Sequence, residues 1–131
     1  MRGWLVALLA LCTVLAPTRA LADETIVIEA TRLVPEATKT GERVGFVNSA
    51  QRAVHVEFTG DVRQHELIQV PATGPIWAIF HRPGTHPYVV HVYSGREVRA
   101  LSGLVDVIED ETHKWDSQTC GVILQGVCLE P

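Results

Sequence analysis

The sequence predicts an all-β sandwich or barrel made of a single domain. Short runs rich in β-branched residues recur along the chain, and Gly, Pro, Asn and Asp separate them at intervals of about 8–12 positions. Strong helical periodicity is absent. The chain has 131 residues, which suits one domain, and its sequence contains neither an internal repeat nor a linker.

The predicted strands follow one another between residues 25 and 109. The clearest is 53–58, which alternates apolar residues with His55 and Glu57 and ends at a Thr-Gly-Asp turn. The run 75–80 is apolar on both faces. The remaining runs are 25–34, 42–47, 67–70, 87–93 and 103–109. We expect the large side chains of the core to be Phe46, Phe58, Trp77 and Phe80.

The first 22 residues have the pattern of a secretory signal peptide. Arg2 provides a positive start, residues 4–15 are almost entirely apolar, and Ala20-Leu21-Ala22 offers small residues for cleavage. The apolar run is shorter than the roughly 20 residues of a membrane-spanning helix. The alternative is an uncleaved N-terminal anchor. We therefore expect a periplasmic or secreted protein that begins at Asp23 and has no later membrane span.

Charge and composition exclude several classes of function. Eleven Lys and Arg face fifteen Asp and Glu, and the net charge of −4 argues against a nucleic-acid partner. A hydrophobic fraction of 47% excludes a disordered chain. The sequence has neither a nucleophile elbow nor a glycine-rich phosphate loop, so it gives no support to hydrolase or nucleotide chemistry.

Two cysteines remain once the signal peptide takes Cys12 with it. In an exported protein, Cys120 and Cys128 are most simply paired as a disulfide. The alternative is a thiolate metal site. We expect residues 110–131 to be a short C-terminal extension that this bond ties together.

Two segments resemble the cupredoxin family. In residues 47–61, an Asn-containing loop follows one strand, and His55 enters the next. Residues 80–91 and 101–107 resemble the Pro-Gly-Thr-Tyr-x-Tyr strand, the ligand loop and the closing Gly-x-x-x-Val strand of that family. The resemblance spans residues 25–109 and implies a cupredoxin-like Greek-key β-sandwich over residues 23–109.

The variant most similar to this chain is the C-terminal cupredoxin domain of copper nitrite reductases and their multicopper-oxidase relatives. There the strand reads Pro-Gly-x-Tyr-x-Tyr-Val-x-His, and residues 83–91 match it except that His86 replaces the first Tyr. The last histidine of that pattern helps bind a type 2 copper at a subunit interface. The resemblance implies copper as the cofactor, with this role on His91 and His55 near a histidine beside the copper.

The sequence departs from the ligand set of a blue-copper site. Such a site needs two histidines, a Cys thiolate and a weak axial ligand. Val89 or a neighbour stands at the Cys position, and no sulfur lies near Leu101. A thiolate is available only if Cys120 and Cys128 are not paired. A complete type 2 site would need histidines from a second copy or a partner.

Six histidines follow the signal peptide, and His55 and His91 are the metal ligands that the resemblance supports best. His86 is the third candidate. On a regular strand His86 and His91 point to opposite faces, so only a bulge or a turn would bring them together. For each histidine, a surface or hydrogen-bonded core position is the alternative.

These observations favour a periplasmic copper-binding protein over an enzyme. It would handle copper or have an accessory redox role, with a periplasmic redox or copper-handling protein as its partner. Two alternatives stay open. One is a metal-free sandwich that acts as a structural or partner-binding module, and the other is a homo-oligomeric type 2 copper enzyme.

Overall fold

The computed structural model describes residues 24–41, 43–60, 66–109, 114–116 and 118–130. These residues form eleven strands and no helix, which confirms the predicted all-β sandwich. Accordingly, the described residues offer no helix able to cross a membrane. The strands are β1 (Glu24–Ile28), β2 (Leu33–Val34), β3 (Ala37–Thr40), β4 (Arg43–Asn48), β5 (Ala53–Phe58), β6 (Ile68–Gln69), β7 (Ile76–Phe80), β8 (Gly84–Ser94), β9 (Glu97–Val107), β10 (Val122–Leu124) and β11 (Val127–Glu130). The predicted signal peptide, residues 1–22, lies outside this range.

The strands divide into two mixed sheets. The first has the order β11-β10-β7-β4-β1-β2, and the second has the order β3-β9-β8-β5-β6. β1 pairs with β4 in parallel, as β3 does with β9, and the other neighbours are antiparallel. The long strands β8 and β9 pair along their whole length, so this hairpin is the longest paired segment of the second sheet.

Regular alternation along the strands builds the core between the two sheets. In β5 and β8 every second residue is buried, and the residues between them face outward. Phe46, Phe58 and Phe80 are buried as predicted, and Tyr88 joins them. The rings of Phe46 and Tyr88 are edge to face with centroids 5.2 Å apart, so the aromatic residues of both sheets interlock.

The prediction that Trp77 is a core residue is wrong. Ile76 and Ala78 point into the core, so Trp77 between them points to the outer face of the first sheet. Its ring covers Gly45, where an added β-carbon would lie 2.9 Å from the ring. The Arg43 guanidinium stacks 4.4 Å from the ring centroid. Because the run is apolar on both faces, its sequence does not reveal which face is buried.

The C-terminal extension contributes two strands, β10 and β11, that are not predicted from the sequence. β10 pairs with β7 and with β11, so the extension widens the first sheet. Gln125 and Gly126 form the turn between them with φ of 47° and 78°, the backbone of a type I′ hairpin. The predicted disulfide between Cys120 and Cys128 is confirmed, with sulfurs 2.03 Å apart.

The turn before β5 is held by one side chain. The Asn48 amide nitrogen donates to the carbonyls of Arg52 and Val70, at 2.9 and 3.1 Å. Its oxygen accepts from the Ala50 amide at 3.0 Å. Asn48 thereby ties the end of β4 to the start of β5 and to the segment after β6, which fixes where β5 begins.

Candidate functional site

His55 and His91 face each other across the second sheet. β5 and β8 are antiparallel neighbours, and their register places these two residues directly opposite each other. Both point to the outer face, because the residues on either side of each histidine point into the core. Side chains at directly opposite positions have β-carbons about 4.5–5.5 Å apart, which lets two imidazoles reach one ion.

Glu57 lies beside this histidine pair. It follows His55 by two residues on β5 and therefore shares its face. Its carboxylate oxygen Oε2 is 3.2 Å from Nε2 of His91, and the two side chains are 24% and 23% exposed. In the tautomer that carries its proton on Nε2, His91 donates this hydrogen bond and keeps Nδ1 as an acceptor.

Tyr93 completes the outward-facing group. Its ring is edge to face with the ring of His55, with centroids 5.0 Å apart and an interplanar angle of 86°. Nδ1 of His55 is buried and has no hydrogen-bond partner among the described residues. A buried nitrogen in this state costs about 1–3 kcal/mol unless another group satisfies it. Nδ1 of His55 is therefore the unsatisfied polar atom of this outward-facing group.

The structure places His86 away from the other two candidate ligands. Its side chain points into the core and is only 4% exposed. Nε2 is 2.9 Å from the carbonyl oxygen of Arg82, and the ring packs 5.0 Å from that of Phe80. Burial lowers the pKa of His86 below its ordinary value.

The expectation that His86 supplies a third ligand does not fit this placement. Its register with β9 runs without a bulge from residue 84 to residue 94, so nothing brings His86 round to the face of His91. The alternation rule that separates the two histidines in sequence thus holds in the structure.

The described residues supply few protein ligands for a metal ion. In the part of the chain that the structure describes, no group of three or more His, Cys, Asp or Glu residues is arranged to hold a metal ion. The disulfide removes Cys120 and Cys128 as thiolates. What the outer face offers is two imidazoles and one adjacent carboxylate. His65 and His113 lie outside the described residues.

Residues of β6 and β9 flank the histidine pair on either side. Ala100 of β9 stands opposite His91, and Gln69 of β6 stands opposite His55. On the same face of β9, Val98 and Leu104 are 54% and 45% exposed. A partly apolar surface of β9 therefore lies beside the imidazoles, and a partner could contact it.

Glu57 and Tyr93 are not among the site residues predicted from the sequence. Each stands two residues after one of the candidate histidines, and that spacing alone places them on the same faces of β5 and β8. Their convergence depends on the register between the two strands, which the sequence does not state. No protein-family model matches this sequence, and no curated protein matches it.

Proposed function

We propose that this protein is an exported copper-binding protein that holds one copper ion through His55 and His91. One observation carries the proposal: two imidazoles stand at directly opposite positions on the outer face of the second sheet. Imidazole nitrogen suits copper, and copper(II) binds such ligands more tightly than the other first-row divalent ions do.

Glu57 gives this pair the support that metal-binding histidines usually have. A carboxylate that accepts from one ring nitrogen fixes the tautomer, orients the ring and makes the other nitrogen a better ligand. With Nε2 of His91 directed to Glu57, Nδ1 is the nitrogen left for the metal. His55 would supply the second ring nitrogen; its Nδ1 has no protein partner among the described residues but is buried, so the ring would turn to present a nitrogen to the ion.

The small number of protein ligands favours copper handling over electron transfer. Two imidazoles leave coordination positions for water or for a donor from another protein, so the ion could be passed on. Fast blue-copper electron transfer needs a thiolate, and both cysteines of the described residues are paired. The cupredoxin resemblance supports the same two histidines as ligands.

Two features support export of the protein. Residues 1–22 have the three regions of a secretory signal. The disulfide between Cys120 and Cys128 is a bond that persists in oxidising compartments such as the periplasm. A periplasmic copper protein would find its partner among the redox or copper-handling proteins of that space.

A copper titration followed by electron paramagnetic resonance tests the proposal. We expect the exported protein to bind one Cu(II), with nitrogen hyperfine coupling and no intense blue band. His55→Ala with His91→Ala should remove this signal. His81→Ala is the matched control, because it removes a half-buried histidine that follows the last residue of β7. Unchanged binding in the double variant, or no stoichiometric binding at all, would overturn the proposal.

A metal-free partner-binding module is the second candidate function. It is favoured by the exposed apolar side chains of Val98 and Leu104 on the same face as the histidines. In that case His55 and His91 would contact a partner protein. Specific capture of a partner by the metal-free protein, lost in Leu104→Asp, would support this function.

A further inference from the structure

The strand β9 has an open edge. β8 pairs with it along its whole length on one side, but β3 covers only residues 104–107 on the other. No described residue pairs with residues 97–103 on that second side. Residues 97–100 are all exposed, so this stretch is an accessible strand edge.

The hydrogen-bonding groups of this edge can be assigned. The amides of Leu104 and Ile108 donate to the carbonyls of Glu36 and Thr40, so they point away from β8. The register between β8 and β9 is continuous, and backbone groups along a strand alternate in direction. The N–H and C=O groups of Val98, Ala100 and Ser102 therefore point out of the open edge.

The charged residues along this edge are ordered so that the edge is complementary to a second, antiparallel copy of itself. Glu97 and Arg99 flank Val98 and share the face opposite to it. Together with Arg52 they border a cavity of about 500 Å³, and none of the three has a salt-bridge partner among the described residues. In an antiparallel second copy the order Glu97, Val98, Arg99 is reversed, so each acidic residue would stand opposite a basic one.

We propose that two copies of this chain associate through the edge of β9, antiparallel, about a two-fold axis at Val98. Val98 then lies opposite Val98 of the second copy and exchanges both backbone hydrogen bonds with it. Glu97 of each copy lies opposite Arg99 of the other. The contact is isologous, so the same pairing occurs twice.

Neighbouring registers are unfavourable. An axis at Arg99 would place two arginines directly opposite each other, and an axis at Glu97 would do the same with two glutamates. An axis at Ala100 would bring the hairpin turn at Arg96 opposite Leu104, where β3 already pairs. The arrangement about Val98 avoids both like charges and overlap with β3.

The dimer would join the second sheets of both copies into one ten-stranded sheet, twice the five strands of one copy. A two-fold axis perpendicular to the sheet keeps both outer faces on the same side. Three strand spacings across and four residues along separate the two His91 residues, which is roughly 20 Å. The two histidine pairs therefore remain separate, and the dimer does not depend on copper.

Sedimentation equilibrium of the purified protein with charge-reversal variants tests the proposal. We expect a concentration-dependent dimer, because strand-edge contacts are small. Glu97→Arg alone and Arg99→Glu alone each place like charges opposite each other and should weaken the dimer about tenfold or more. The double swap should restore it, and so should an equimolar mixture of the two single variants.

A second variant tests the backbone pairing. Ala100→Pro removes an N–H that points out of the edge, so it should weaken the dimer while the β8–β9 ladder stays intact. Circular dichroism and the melting temperature check that each variant is folded. A wild-type protein that stays monomeric at every concentration, or a dimer that the charge reversals do not affect, would overturn the proposal. Copper binding by a monomeric variant is measured separately.

Discussion

The ring of Tyr88 on β8 occupies the place where a β-carbon of Gly103 on β9 would lie. The two residues are register partners, and both are buried in the core. The Tyr88 hydroxyl has no hydrogen-bond partner among the described residues, and burial raises the pKa of this phenol. The glycine thus makes room for the largest side chain of the core.

Gly103→Ala should destabilise the protein by about 1–3 kcal/mol, because the tyrosine ring or the strand must shift to accommodate the methyl group. Urea unfolding measures the loss. Gly74→Ala is the matched control, since a β-carbon there meets nothing within 4 Å. Equal stability of the two variants would contradict the packing described.

Stability should depend on pH through His86. The unfolded chain takes up a proton near the ordinary pKa of 6.5, whereas burial lowers the pKa of His86 in the folded state. More protons are then bound to the unfolded chain, so the free energy of unfolding falls as the pH drops below 6.5. Urea unfolding over a pH series measures this effect. The free energy of unfolding should fall less steeply with decreasing pH in His86→Gln than in the wild type. Parallel curves would show that His86 is not responsible.

Loss of the disulfide should have a modest effect. Cys120 and Cys128 are only 8 residues apart, and closing so short a loop stabilises a fold by about 2–3 kcal/mol in the chain-entropy description. Replacing both cysteines by serine should lower stability by no more than that amount. Thermal unfolding with and without reductant measures it, and the serine variant should be insensitive to reductant.

Glu57→Gln should weaken copper binding about tenfold, because the amide no longer orients and polarises the His91 ring as a carboxylate does. Competition titration against a chelator of known affinity measures the change. Asp106→Asn is the matched control, since it also removes a carboxylate from the outer face of the second sheet. The Asp106 carboxylate lies 3.9 Å from the Lys39 ammonium and not beside a histidine. Equal losses in both variants would show a general charge effect.

Much of the second sheet could be predicted from the sequence, because alternation is strict there. Val54, Val56 and Phe58 mark one face of β5, which puts His55 on the other. The same rule separates His86 from His91. These predictions succeed because each depends only on the local backbone of a regular strand.

The other features of the fold and of the site depend on contacts between residues that are far apart in the sequence, and local sequence patterns do not encode those contacts. Trp77 lies in a run that is apolar on both faces. Which of these faces is buried depends on where the second sheet packs against the first. β10 and β11 are short and joined by Gln125-Gly126, a weaker turn signal than Asn-Gly. The contact of Glu57 with His91 joins residues 34 positions apart and appears only once the strands are in register.

The histidine pair stands on interior strands of its sheet rather than on loops, and this decides how a bound ion could leave. Interior strands are among the last parts of a fold to open, whereas loops fluctuate freely. His55 and His91 lie within paired strands and not on a loop, so we expect their backbone spacing to change little when an ion binds. An acceptor protein would have to press its own ligands against the sheet and take the ion by exchange, and the rate would follow the acceptor's concentration.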